Sequence, residues 1–228
     1  MSVFSCVALG EQIASEPQLN PAAEETAAAA IEAPKPAQDK RIFGVLPNYR
    51  TVSGTTDIEP LTSRQKMTIA AKDSFDWPSY ITAAGFAGLS QLSNTNPSFG
   101  QGIRGYSKRY AAGVGDQITG NMLTEGVFPV WFREDPRYFR LGTGSGWSRF
   151  RYAATRTLIT RTDSGGRRFN FSEIGGNTTA VAISNAYSPD TRNVSDNLTK
   201  LGIQVATDTF SNILKEFWPD FKRKFLKK

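Results

Sequence analysis

The chain has 228 residues, 27 Lys and Arg against 21 Asp and Glu, no histidine and a formal net charge of +6. The absent histidine excludes Ser-His-Asp and Cys-His catalysis and removes the usual zinc and haem ligands. A single cysteine, Cys6, excludes an internal disulfide and any cysteine-ligated metal site built from this chain alone.

Residues 1–40 carry six acids and two bases, hence −4, which leaves +10 on the remainder. Their Ala/Pro-rich composition offers too few large apolar side chains to offset chain entropy, so the segment reads as a disordered acidic tether. Its first ten residues lack the basic start and apolar run of a secretory signal, although Val3-Phe4-Ser5-Cys6 is similar to the end of a lipoprotein signal and makes Cys6 a candidate for lipidation. Residues 41–58 read as an extended arm, with Ile42, Phe43, Val45, Leu46 and Tyr49 around Pro47.

Residues 59–228 read as a helical domain with a basic aromatic tail. Thr62 and Gln65 form a capping-box pattern, followed by Met67, Ala70, Ala71 and Phe75 at helical spacing. Asp76 and Pro78 close that helix and open a second, Trp77 to Leu92, kept slender by Ala84, Gly85, Ala87 and Gly88. The uncharged stretch from Trp77 to Ile103 is broken by turn residues, so it reads as two pieces and not as a membrane span.

In a third helix, Ile103, Tyr106, Tyr110, Val114, Ile118 and Met122 make an apolar stripe expected to face the core and to stop near Pro129. Gly142, Gly144 and Gly146 mark a turn, and Trp147, Phe150, Ala154 and Leu158 restart the helical period through Ile159, with a further turn from Asp163 to Arg168. Asn170 and Glu173 open a helix rich in small residues that ends before Pro189. The last helix starts near Ser195, puts Ile203, Ala206, Phe210, Ile213 and Phe217 on one face, and is expected to stop at Pro219. The expected fold is all-α, a compact bundle of six helices with no strands long enough to build a sheet.

Three constellations bear on function. Between Trp131 and Arg168 nine arginines meet only three acids and no lysine, with aromatics interleaved. The guanidinium fork suits phosphate and other anions, which makes Arg133, Arg137, Arg140, Arg149, Arg151, Arg156, Arg167 and Arg168 anion-binding candidates; a solvated or internally paired basic face is the plain alternative. The C-terminal run joins Trp218 and other apolar residues to Lys222, Arg223, Lys224, Lys227 and Lys228, the chemistry of a membrane-surface anchor in which each base near anionic lipid contributes about 1 kcal/mol.

The third is a polar network expected among Arg109, Asp116, Asn121, Glu125, Glu173, Asn177, Asp208, Asn212 and Glu216, all at helical spacing. Carboxylates converging from three helices would permit acid–base work, while the histidines of a di-iron pattern are missing. No metal and no cofactor is assigned.

Pro60-Leu61-Thr62, Gly105-Tyr106-Ser107-Lys108-Arg109-Tyr110, Glu134-Asp135-Pro136-Arg137-Tyr138-Phe139-Arg140 and Lys215-Glu216-Phe217-Trp218-Pro219-Asp220 together resemble a family of uncharacterised bacterial proteins, many predicted to be exported. The likeness runs roughly from Ile42 to Phe225 and implies an envelope setting, with no catalytic residue to carry over. The leading expectation is therefore a non-catalytic, envelope-associated protein bound to an anionic membrane surface or an envelope protein. A histidine-independent enzyme acting on a phosphorylated or lipid substrate is the alternative, and it needs Asp116, Glu173 and Asp208 to share a pocket. Nucleic acid is the least favoured partner, and a chain that truly starts at Met1 without an export signal would stay cytoplasmic.

Overall fold

The computed structural model describes residues 41–44, 46–48, 50–53 and 59–226. The expected tether with Cys6, and Lys227 and Lys228, lie outside the described residues.

Helix α1 (Ser63–Ser74) opens on the capping box: Thr62 accepts from the Gln65 amide at 3.3 Å, and Gln65 Oε1 accepts from the Thr62 amide at 2.8 Å. Helix α2 (Trp77–Ser93) holds Pro78 in its first turn, where an amide would have no helical partner, and closes on Asn94 in the left-handed region. Side chains also cap the later helices. Ser145 accepts from the Ser148 amide before α5 (Gly146–Thr155), Asn170 from Glu173 before α6 (Phe171–Ser184), and Asn193 from Asp196 before α7 (Val194–Phe221).

Between α2 and α5 runs α3 (Gly102–Asn121), which passes through a π-helical segment, Met122–Val127, into the short α4 (Phe128–Phe132). The sequence reading stopped this rod near Pro129, whereas it continues to Phe132. The wide turn supplies the reason: Phe128 bonds back to Leu123, five residues earlier, so the helical register is already shifted where proline removes a donor. With α3 and α4 counted as one rod, the chain is mainly helical with six helices among the described residues.

Pro219 likewise fails to stop the last helix. It lies inside α7, and a π-helical segment, Lys222–Leu226, follows. Arg140 Nε and Arg149 Nη2 donate to the carbonyl of Glu216 at 3.0 and 2.7 Å, holding the weakened turn from the side.

Seven short strands accompany the helices among the described residues. β1 (Arg41–Ile42) and β2 (Leu46–Pro47) pair antiparallel, and β3 (Thr51–Ser53) pairs in parallel with β5 (Tyr138–Arg140), tying the arm to the domain. β4 (Glu134–Asp135), β6 (Ile159–Thr162) and β7 (Arg167–Phe169) form a three-stranded antiparallel sheet. The expected helical period through Ile159 is thus corrected. Helix α5 ends at Thr155, the β-branched run Ile159-Thr160-Arg161-Thr162 extends, and Gly165 at φ 87° turns the chain back.

The buried apolar residues are mostly small, including Ala70, Ala83, Ala87, Ala153 and Ala180. Small residues allow close approach: a Cβ on Gly176 of α6 would lie 2.8 Å from Thr124 Cγ2 of the π segment. The two expected core stripes face inward only in part. Ile103 is 87% exposed and Phe210 61%, whereas Tyr106, Tyr110, Val114 and Ile118 on α3, Met122 directly after it, and Ile213 and Phe217 on α7 are half-buried. Polar side chains share the inner faces: Arg109 on α3 and Lys215 and Glu216 on α7 are buried.

Candidate functional site: an interior polar chamber

Helices α2, α3, α6 and α7 and the π segment, with Asp73 of α1 and the arm, line a half-open cavity of about 830 Å³, large enough for a small-molecule ligand. Asp116 and Asn121 reach it from α3, Glu125 from the π segment, Glu173 and Asn177 from α6, and Asp208, Asn212 and Lys215 from α7. Gln204, Asp208, Ser211 and Lys215 recur every three or four residues, which places them on one face of α7.

The acidic wall is built around Glu125, Glu173 and Asp208. Arg50 of the arm pairs with Glu125 and, at 3.2 Å, with Asp73 of α1. Asn177 donates to Glu173 at 2.8 Å. Glu173 and Asp208 act on each other as neighbouring carboxyls, an arrangement that is favourable when one of the two holds a proton. Burial pushes Glu125, Glu173 and Asp208 above the usual carboxylate range, and for Glu173 the negative charge of Asp208 adds to it. Burial, with the positive charge of Arg50, lowers the Lys215 amine to about 8.

A second wall is cationic. The Arg156 guanidinium lies 4.6 Å from the Tyr152 ring centroid, its Nε is buried without a hydrogen-bond partner, and burial and Arg167 lower its pKa. Arg161 stacks 4.9 Å over Phe139. Arg156, Arg161 and Arg167 all line the cavity, and none forms an ion pair with a described carboxylate. Thr157 links this wall to α7 through Thr209 at 2.9 Å and Asn212 at 3.3 Å.

The structure divides the arginine cluster. Arg137 pairs with Asp135 at 2.6 Å, Arg168 with Glu134 at 2.8 Å, and Arg149 with Glu216 at 2.8 Å and Asp220 at 2.5 Å, while Arg140 donates to a main-chain carbonyl. These side chains are joints of the fold; Glu134, for instance, also accepts from the Ser172 amide and so anchors the start of α6. Arg133 and Arg151 are exposed, and Arg133 supplies the left-handed residue that ends α4. In the C-terminal run Trp218 is 7% exposed and packs on Phe43 at 4.6 Å, so the expectation that its ring meets a surface is corrected. Lys222 is half-buried, and Arg223 and Lys224 are exposed.

The polar network also divides. Seven of its nine members line the chamber, with Asp116 also accepting from the Tyr187 hydroxyl. The other two lie apart. Arg109 was expected to pair with carboxylates, but it donates to Gln91, Asn94 and the carbonyls of Asn96 and Gly100, securing the turn between α2 and α3. Glu216 serves Arg149 and the β5 region instead.

Sequence reasoning missed Arg50, Asp73, Arg161 and Lys215 as chamber residues. Lys215 had one detectable signal, its place two turns after Asp208. Among the described residues no group of acids is arranged to hold a metal ion, and no helix is long and apolar enough to cross a membrane. No protein-family model, curated protein or solved structure matches this chain.

Chemically, the chamber combines carboxyl groups that stay protonated at higher pH than usual, an amine that loses its proton early, and arginines without carboxylate partners. That is an acid–base site with an anion-attracting side, built without histidine.

Proposed function

We propose that this protein is an enzyme that binds a small anionic molecule in its chamber and transfers protons to or from it. Arg156, Arg161 and Arg167 hold the anionic group, a phosphate or carboxylate, and Glu173 and Asp208 act as the proton-sharing acid–base pair. The observation that carries this reading is the convergence of Glu125, Glu173 and Asp208 on one cavity. Calorimetric titration with inorganic phosphate and phenyl phosphate tests it. One saturable site, weakened in Arg156→Ala and Arg167→Ala, is expected, and no saturable binding at millimolar concentration removes the reading.

A second reading concerns the exterior and is compatible with the first. Trp131 and Trp147 are 74% and 67% exposed, and Arg133, Arg151, Arg223 and Lys224 are exposed as well. Exposed aromatics beside cations favour a seat on an anionic membrane surface in the cell envelope, the setting that the resemblance to an often exported bacterial family also implies. Flotation with anionic but not neutral vesicles, reversed by salt, is the expected result; equal failure with both removes this reading.

A further inference from the structure

Two lysines among the described residues are almost wholly buried, and their surroundings differ. Lys66, 2% exposed, is held by Asp163 at 2.7 Å and by the carbonyl of Pro129 at 3.1 Å. Lys215, 3% exposed, opens onto the chamber and makes no hydrogen bond or ion pair with a described residue. Four charged groups act on it from the elements around it: Arg50 of the arm, Asp73 of α1, Glu125 of the π segment and Asp208 of its own helix.

A lysine enclosed in this way gains from holding its amine uncharged, since the ammonium ion has neither bulk water nor a paired anion. An uncharged amine carries a free lone pair, and the cavity brings ligand to it. We propose that Lys215 is a covalent catalytic amine, and that the chamber's ligand is a small aldehyde or ketone bearing an anionic group, with which Lys215 forms an imine. This rests on the chamber reading above and names its substrate class.

The balance closes with groups already present. The lone pair of Lys215 Nζ attacks the carbonyl carbon, the C=O π pair moves to oxygen, and one proton passes from nitrogen to that oxygen, giving a neutral carbinolamine. The Glu173–Asp208 pair then donates its shared proton to the hydroxyl. The C–O bond breaks, water leaves, and the nitrogen lone pair forms C=N, so a cationic iminium stands beside a newly formed carboxylate. The net change is one carbonyl, one amine and one proton converted to one iminium and one water.

Glyoxylate, an aldehyde with a carboxylate, is the probe, trapped with cyanoborohydride and located by peptide mapping of the full chain. At about neutral pH Lys215 is expected to be modified on the order of a hundredfold faster than exposed Lys72, Lys108 or Lys224, because far more of its amine is unprotonated. Modification should saturate with glyoxylate, slow in Asp208→Asn and vanish from this position in Lys215→Met, a variant that keeps an apolar stem in a buried place.

Adducts spread over the exposed lysines with Lys215 no faster would overturn the proposal. Saturable calorimetric binding of glyoxylate without an adduct at Lys215 would overturn the amine's role and leave the chamber reading standing. Neither binding nor adduct would overturn both.

Discussion

Arg149 Nε donates to Glu216 Oε1 at 2.8 Å, and this bond fastens α5 to α7 in a place where Glu216 has no solvent exposure. The carboxylate is otherwise fully occupied. Its Oε1 also accepts from the Gly142 amide at 2.9 Å, and its Oε2 accepts from the Tyr138 hydroxyl at 2.9 Å and the Leu141 amide at 3.0 Å. Burial and the adjacent Glu216 charge push the Tyr138 hydroxyl far above its usual range, so it remains a donor at every ordinary pH.

Breaking this junction from either side should be severe. Glu216→Gln and Arg149→Met are each expected to lower stability by about 3–5 kcal/mol, read from urea unfolding midpoints. A Glu216→Leu/Arg149→Met double variant should not recover the loss, because the Leu141 and Gly142 amides would still lack their acceptor. A double variant as stable as the parent would show that the carboxylate contributes nothing beyond the ion pair.

The tightness of the α6 contact with the π segment predicts opposite effects for two similar substitutions. Gly176→Ala puts a methyl 2.8 Å from Thr124 Cγ2 and 3.0 Å from the Thr124 backbone, and should cost about 1–3 kcal/mol. Gly88→Ala on α2 meets nothing within 4 Å and should stabilise by about 0.5–1 kcal/mol, since it removes a flexible glycine from a helix interior. Thermal unfolding of the two variants should move in opposite directions.

The chamber's ionisable groups should leave a mark on the pH dependence of stability. Glu125, Glu173 and Asp208 have raised pKa values in the folded state, so between the ordinary carboxylate range and those values the native protein binds more protons than the unfolded chain. Their contribution to stability is present in acid and declines as pH rises through the folded values. Lys215, lowered to about 8, works in the other direction: its burial penalty is largest below about 8 and fades toward the usual lysine range as the unfolded chain also loses its proton. Glu173→Gln should flatten the decline that begins above the ordinary carboxylate range, and Lys215→Met should remove the rise above about 8. Urea midpoints across a pH series measure both, and unchanged slopes would contradict the assignment.

Arg156 gives a test that separates binding from folding. Its charge is half-buried with no carboxylate partner, so Arg156→Met should leave stability unchanged or improve it. Phosphate affinity should fall by about 1.5–3 kcal/mol, more than a tenfold loss in calorimetry, the value of a hydrogen bond to a charged group. A matching fall in stability would mean that the side chain supports the fold instead.

Helix positions were legible because their starts are chemically marked. Thr62 and Asn170 each cap a helix through a side-chain oxygen, as does Asn193, two residues before the start expected near Ser195. Where helices end was less legible, since Pro129 and Pro219 look like stops and are absorbed by a π turn and by lateral arginine donors. The facing of α7 was misread in part, for a physical reason. Apolar periodicity assumes an oily interior, whereas here Asp208, Asn212 and Lys215 line a cavity and Phe210 looks outward.

The site was partly legible for the same reason. Spacing brought the network residues into view, and seven of the nine share one cavity, but nothing in α-helical spacing could reveal that Arg50 arrives from the arm or that Arg109 belongs to a turn. Composition also exposed the arginine cluster without distinguishing its joints from its free members. That division depends on Asp135, Glu134 and Glu216 in three dimensions.

The broadened coil at Met122–Val127 holds one residue more than ordinary winding would need. Removing one residue there would restore that winding, and because five residues at about 100° each sweep nearly the angle that the coil's six sweep, the helix downstream would keep its direction. Pro129 would stay where Lys66 grips its carbonyl, while residues inside the coil would change place, Glu125 of the cavity wall among them. A one-residue deletion in this coil is therefore expected to disturb the acidic wall locally while sparing the capped helices on either side.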